Sequence, residues 1–186
     1  MSAPDAVRWR RSAVPLLVGG LLGFIGGYFA AGGGRPTPVV PSTAVPAEGG
    51  DRIASLSQAL ERDRDNPALW TALGNAYYDR ENWEKAIEAY ENARRRLAKD
   101  PNLLSDLGAA YRNAGQLRRA IVCFEKAREN GPDHWQSLLN LTLVHAYDLG
   151  EADKAQRYFD ELKRRYPEVP QLDRLQEKIS GLRAAA

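Results

Sequence analysis

The sequence predicts an all-α protein: a solenoid of antiparallel helix pairs with capping helices, preceded by one transmembrane helix. Three observations carry that expectation. The chain aligns on itself with a period of 34 residues over its middle part. Residues 12–31 form an apolar run without a single charge, and a Gly- and Pro-rich stretch at 32–50 separates that run from the repeats. Residues 51–186 are rich in Ala, Leu, Glu and Arg, with no Asp-Gly hairpin dipeptide.

The first element is a basic tail, residues 1–11, holding Arg8, Arg10 and Arg11. The second is SAVPLLVGGLLGFIGGYFAA, residues 12–31. Twenty residues at a helical rise of about 1.5 Å span about 30 Å, the thickness of a bilayer's hydrocarbon core. Trp9 before the run and Tyr28 and Phe29 near its end stand where interfacial aromatics are expected. A cleaved signal peptide would also carry a basic start and an apolar run, with Ala30-Ala31-Gly32 as its cleavage site. The run exceeds the roughly 7–15 apolar residues usual for a signal peptide, which favours the anchor.

Three arginines before the run and only Arg35 close behind it set the expected orientation. The positive-inside rule puts the N-terminus in the cytoplasm and the rest beyond the membrane, in a bacterium the periplasm. The expected location is the bacterial inner membrane, as a single-pass protein. Gly19, Gly23 and Gly27 recur every four residues, a small-residue stripe that permits lateral contact with another transmembrane helix, including that of a second copy.

Residues 32–50 carry five Gly and four Pro and bury no core. Such a linker reaches roughly 25 Å as a flexible chain and near 60 Å at most in polyproline form. Beyond it the charge balances. Of 26 basic and 24 acidic residues, four and two fall in residues 1–50, so the remainder is neutral and lacks the basic footprint of a nucleic-acid binder.

The repeats hold most of the information. Pro67-Ala68-Leu69-Trp70-Thr71-Ala72-Leu73-Gly74-Asn75-Ala76-Tyr77 lies over Pro101-Asn102-Leu103-Leu104-Ser105-Asp106-Leu107-Gly108-Ala109-Ala110-Tyr111. Ala86, Ile87, Tyr90 and Ala93 lie over Ala120, Ile121, Phe124 and Ala127. Large residues at helical spacing mark one face of a first helix (A), and Gly74 and Gly108 leave room where a second helix (B) crosses. Ala86 and Ala120 supply the small partner on helix B, while Tyr90/Phe124 and Ala93/Ala127 are expected to fill the contact with the next repeat. Asn66-Pro67 and Asp100-Pro101 read as N-cap and first-turn proline pairs. Gly115 fits a left-handed residue after helix A; Glu81-Asn82 stands there in the first repeat, with Asn82 available to cap the next helix.

With this period and these residues the chain resembles the tetratricopeptide-repeat family. A third copy, from Trp135 to about Tyr166, is looser. Thr142 replaces the glycine, His145 the tyrosine, and one extra residue enters before Gly150. Ala155, Phe159, Leu162 and Pro167 then resume the pattern. Residues 51–66 (Ile53, Leu56, Leu60) and 170–186 (Leu172, Leu175, Ile179, Leu182) read as capping helices. The three repeats occupy 67–100, 101–134 and 135–169.

No CxxC, CxxCH, HExxH, GxSxG or phosphate-loop pattern occurs, so neither catalysis nor a bound cofactor is expected. Cys123 is the single cysteine, which excludes an intrachain disulfide. His134 and His145 would stand about 16 Å apart on one helix, too far to share a metal.

What the resemblance implies is a groove along the A helices. Its positions here are Ala68, Thr71, Asn75, Tyr78 and Asp79; then Asn102, Ser105, Ala109, Arg112 and Asn113; then Gln136, Leu139, Leu143, Ala146 and Tyr147. Some members clamp the C-terminal carboxylate of a heat-shock chaperone with Lys and Asn residues. Only Asn75 matches that set; Thr71, Asp106, Gln136 and Asn140 stand at the other positions, and Asp106 would repel a carboxylate. Anchor followed by repeats is also similar to the tetratricopeptide domains of bacterial cytochrome c maturation proteins, which hold the apocytochrome for haem ligation. The implied role is a scaffold or chaperone for a protein partner. The alternative is an accessory subunit held in a larger membrane complex through the glycine stripe.

Overall fold

The computed structural model describes residues 49–170 and 172–185. The basic tail, the transmembrane helix expected at 12–31 with its Gly19, Gly23 and Gly27 stripe, and the linker up to residue 48 lie outside the described residues. Among those described, no helix is long and apolar enough to cross a membrane.

Eight α-helices and one π-helical turn follow one another among the described residues: α1 (Gly49–Arg62), α2 (Pro67–Tyr78), α3 (Trp83–Arg94), α4 (Pro101–Asn113), α5 (Leu117–Asn130), α6 (Trp135–Leu143), the π turn (Val144–Asp148), α7 (Ala152–Arg165) and α8 (Leu172–Ala184). Helix α1 begins two residues before the expected cap and ends earlier, at Arg62. The pairs α2/α3, α4/α5 and α6/α7 are the three repeats.

The starts follow the sequence chemistry. The Asn66 side chain accepts from the N–H groups of Ala68 and Leu69, Asp100 accepts from Leu103, and Asn82 accepts from Lys85. These side chains satisfy donors that the first helical turn leaves open. The hairpins turn through left-handed residues: Gly115 at φ 73°, Gly150 at φ 66° and Glu81 at φ 57°. Glu81 adopts a conformation that costs a non-glycine residue roughly 1–2 kcal/mol, held by the hydrogen bond of the next N–H, Asn82, to the Tyr77 carbonyl at 3.0 Å.

Within each repeat the glycine meets an aromatic ring. A Cβ placed on Gly74 would stand 2.5 Å from Tyr90 ring carbons, and one on Gly108 2.6 Å from Phe124. This corrects the expectation that Tyr90 and Phe124 mainly fill the contact with the following repeat. They close the A–B crossing of their own repeat, over the glycine that makes room for them.

The third repeat solves the same problem with one residue more. Thr142, at the glycine position, is fully buried and donates its hydroxyl to the Leu138 carbonyl at 2.8 Å. The extra residue is absorbed in the π turn, where the Leu149 N–H bonds to the Val144 carbonyl, five residues back. His145, at the tyrosine position, is buried, lies nearly parallel to Tyr158 (centroids 5.4 Å apart, 13° between planes) and meets Glu151 through Nδ1 at 2.7 Å.

The core runs continuously through repeats one to three along Tyr90, Leu107, Tyr111, Phe124, Leu141 and Val144. A second cluster (Leu138, Phe159, Leu162, Leu175, Ile179) seals the C-terminal end beneath α8. The N-terminal end is thinner among the described residues, where the buried cluster beneath α1 consists of Leu60, Leu73 and Ala89. Polar stitching is uneven in the same sense. Between repeats two and three, Arg112 pairs with Asp148, Arg128 with Glu161, Tyr158 with Glu125, and Arg165 with the Pro132 carbonyl. Between repeats one and two the links are Asn113 to Tyr78 and Tyr111 to Glu91.

Candidate functional site

Helices α2, α4 and α6 run side by side, joined by hydrogen bonds from Asn113 to the Tyr78 hydroxyl (2.8 Å) and from Asn140 to the Ser105 hydroxyl (3.2 Å). This A-helix face is where the implied groove lies, and most of its polar residues already have partners inside the protein. Thr71 donates to the Pro67 carbonyl at 2.9 Å. The Asn75 carbonyl oxygen accepts from the Tyr90 hydroxyl at 2.7 Å. Asp79 pairs across an exposed 3.8 Å with Arg52 of α1. Ser105 is buried. Arg112 grips both carboxylate oxygens of Asp148.

What remains open is more specific. Asn102 is exposed and Gln136 half-buried, and neither makes a side-chain hydrogen bond among the described residues. The Asn75 amide nitrogen is not sealed from solvent and keeps its donors for another acceptor. Leu139 and Leu143 are half-buried against the C-terminal core cluster. Tyr147 is 50% exposed, its ring capped by Lys178 at 5.3 Å from the centroid. Tyr78 presents its ring edge-on to Trp83, 5.0 Å between centroids. Ala146, by contrast, is fully buried and contributes nothing to the face. The inserted residue of the π turn shifts the register, and Asp148 comes to stand beside Arg112.

Asp106 is the charged residue of this face that lacks an ionic partner. It is half-buried, and among the described residues it makes neither an ion pair nor a hydrogen bond. Loss of solvent, with the nearby Asp100 carboxylate adding to it, pushes its carboxyl up to about 7. Burial likewise raises the Tyr90 hydroxyl well above its ordinary value, with Asp106 contributing.

The opposite face, along the B helices, has a shallow depression of about 310 Å³ lined by Glu91, Arg94, Tyr111, Arg119, Cys123 and Lys126. Burial acts to raise the Glu91 carboxyl, but hydrogen bonds from Tyr111 and Arg94 outweigh it and hold the group below its ordinary range. Cys123 is buried and its thiol is pushed up to about 11, chiefly by loss of solvent, so it stays protonated at neutral pH.

Paired helices, glycine–aromatic crossings and left-handed hairpin residues define a helical-repeat protein. Two family models agree with that architecture: YpiA-like C-terminal tetratricopeptide repeats match residues 67–134, and a tetratricopeptide repeat model matches residues 105–170. Together they span more than half of the chain, which belongs to the tetratricopeptide-repeat family. Among solved structures it is similar to a tetratricopeptide repeat protein from Parabacteroides merdae (TM-score 0.65, 19% identity, 72% of this chain and 53% of that one). Two structures of MamA are also similar. One has a TM-score of 0.62 at 18% identity over 75% of this chain and 92% of that one; the other has 0.63 at 22% over 73% and 77%. At these identities the likeness is one of fold. The chain spans about half the length of the Parabacteroides protein. No curated protein matches the sequence.

Proposed function

We propose that this protein holds a polypeptide segment of a protein partner against the A-helix face of its repeats, as a scaffold or chaperone, while residues 12–31 anchor it in a bacterial inner membrane. The observation that carries the binding reading is the set of groups left open on that face: Asn102, Gln136, the Asn75 amide, the Asp106 carboxylate and the Tyr147 ring. Amide donors and acceptors suit a peptide backbone, and tyrosine supplies flat apolar area with a polar tip. Affinity should be modest, because the partner segment must be ordered on binding. The resemblance to cytochrome c maturation proteins makes an unfolded apocytochrome the first candidate to test.

Two expected results follow. Captured from a membrane extract, the full chain should retain a partner that Asn75→Ala/Tyr78→Ala loses. Equal retention would move the binding site to the B-helix side or to the membrane segment, the latter favouring the accessory-subunit reading. For topology, a reporter active only in the periplasm should work when fused after Ala186, and moving Arg8, Arg10 and Arg11 behind Ala31 should reduce its activity. A reporter that is inactive on the unaltered chain rejects the periplasmic placement.

A further inference from the structure

We infer that the A-helix face of the first two repeats carries a subsite for a positively charged side chain, an arginine or lysine of the bound polypeptide, with Asp106 as its counter-ion. The inference rests on the groove reading above and names the chemistry of its occupant. Elsewhere on this face charges are matched from within: Arg112 by Asp148 and Asp79 by Arg52. Asp106 has no such match among the described residues, although it is half-buried.

The fold itself does not require an acid there. One period earlier the position is Ala72 and one period later Asn140, in helices of the same architecture. Taking a carboxylate partly out of water without a counter-ion is unfavourable, so nothing in the free protein rewards it. A cation arriving with the partner would. The hydroxyl nearest in charge terms, Tyr90, gives its proton to Asn75 rather than to Asp106. Tyr78 and Tyr90 both feel the Asp106 charge, so the carboxylate lies near α2 and α3 and is not isolated at the edge of the array.

The same site should respond to pH. The titratable groups that interact with Asp106 are Asp100 at the start of α4, Tyr78 from α2 and Tyr90 from α3; the nearby cation Arg112 is held by Asp148, and Asn140 of α6, one period on, is neutral. Below about pH 7 the carboxyl is largely protonated, so a cation is bound less well; above it the charge is complete. Binding of a basic segment should therefore strengthen between pH 6 and pH 8.

The test uses the full chain in mild detergent and a displayed library of random 14-residue peptides. The parent should select peptides with Arg or Lys at one aligned position. For a synthetic peptide from that set, replacing the Arg by citrulline should weaken binding about ten-fold or more. With Asp106→Asn, or with Asp106→Ala as at the first-repeat position, that ratio should fall to about two or less, and the pH dependence should vanish. Selected peptides without a basic position, or a ratio unchanged by both substitutions, overturn the inference while leaving the groove intact. Peptides whose binding survives Asn75→Ala/Tyr78→Ala, or a library from which nothing is selected, overturn the groove reading itself and this inference with it.

Discussion

Gly108→Leu is expected to destabilise the repeats by about 3 kcal/mol or more, at or above the upper end of ordinary overpacking. The reason is contact with a ring that has nowhere to go. Even a Cβ at this position meets Phe124 at 2.6 Å, and Phe124 is fully buried between helices of the central repeat. Thermal or denaturant unfolding of the full chain measures the loss. A second arm guards the interpretation: Phe124→Leu alone should be destabilising, but Gly108→Ala should cost less in its presence than in the parent. That negative coupling is the signature of two groups competing for one volume. Additive losses would mean that glycine and ring do not share the crossing.

Asp106→Asn should act in the opposite direction, stabilising the protein at pH 8. A carboxyl raised from its ordinary 3.8 to about 7 binds its proton more tightly in the folded than in the unfolded state. The stability it lends is complete below about pH 4 and is lost as pH rises through about 7. The full difference corresponds to about 4 kcal/mol at 1.36 kcal/mol per pKa unit, and solvent access reduces the expected gain to about 1–3 kcal/mol. The quantity to compare is Tm of the variant minus Tm of the parent, at pH 5 and at pH 8. Taking the difference cancels groups such as His134, whose burial favours its neutral form and so opposes the trend below about pH 6.5. A difference that does not grow with pH would show that Asp106 is solvated as an ordinary surface acid.

Much of this architecture was legible in the residues, and the reason is periodicity. Trp70, Leu73, Gly74 and Tyr77 recur as Leu104, Leu107, Gly108 and Tyr111, so a large–small code fixes which faces meet. Caps at Asn66, Asn82 and Asp100 are local, set by side chains within three residues of the donors they satisfy. The third repeat shows where legibility ends. The extra residue could be counted, but whether it would lengthen the loop or widen the helix depends on packing. The π turn is the outcome that keeps Val144 and Ala146 buried.

The groove was legible as positions and not as a surface. Asn75, Tyr78 and Arg112 take partners 15, 35 and 36 residues away, and the choice rests on rotamers no spacing reveals. Those internal bonds leave Asn102, Gln136 and Tyr147 as the open groups and make the lone Asp106 conspicuous.

The uneven stitching along the array has a mechanical consequence. Under tension the protein would behave as a graded zipper rather than a uniform spring. A load entering at the N-terminus meets α1 first, held by the small Leu60–Leu73–Ala89 cluster and by side-chain links such as Arg52–Asp79 and Arg96–Asp65. That end should peel at the lowest force, while repeats two and three, riveted by Arg112–Asp148, Arg128–Glu161 and Tyr158–Glu125, stay folded.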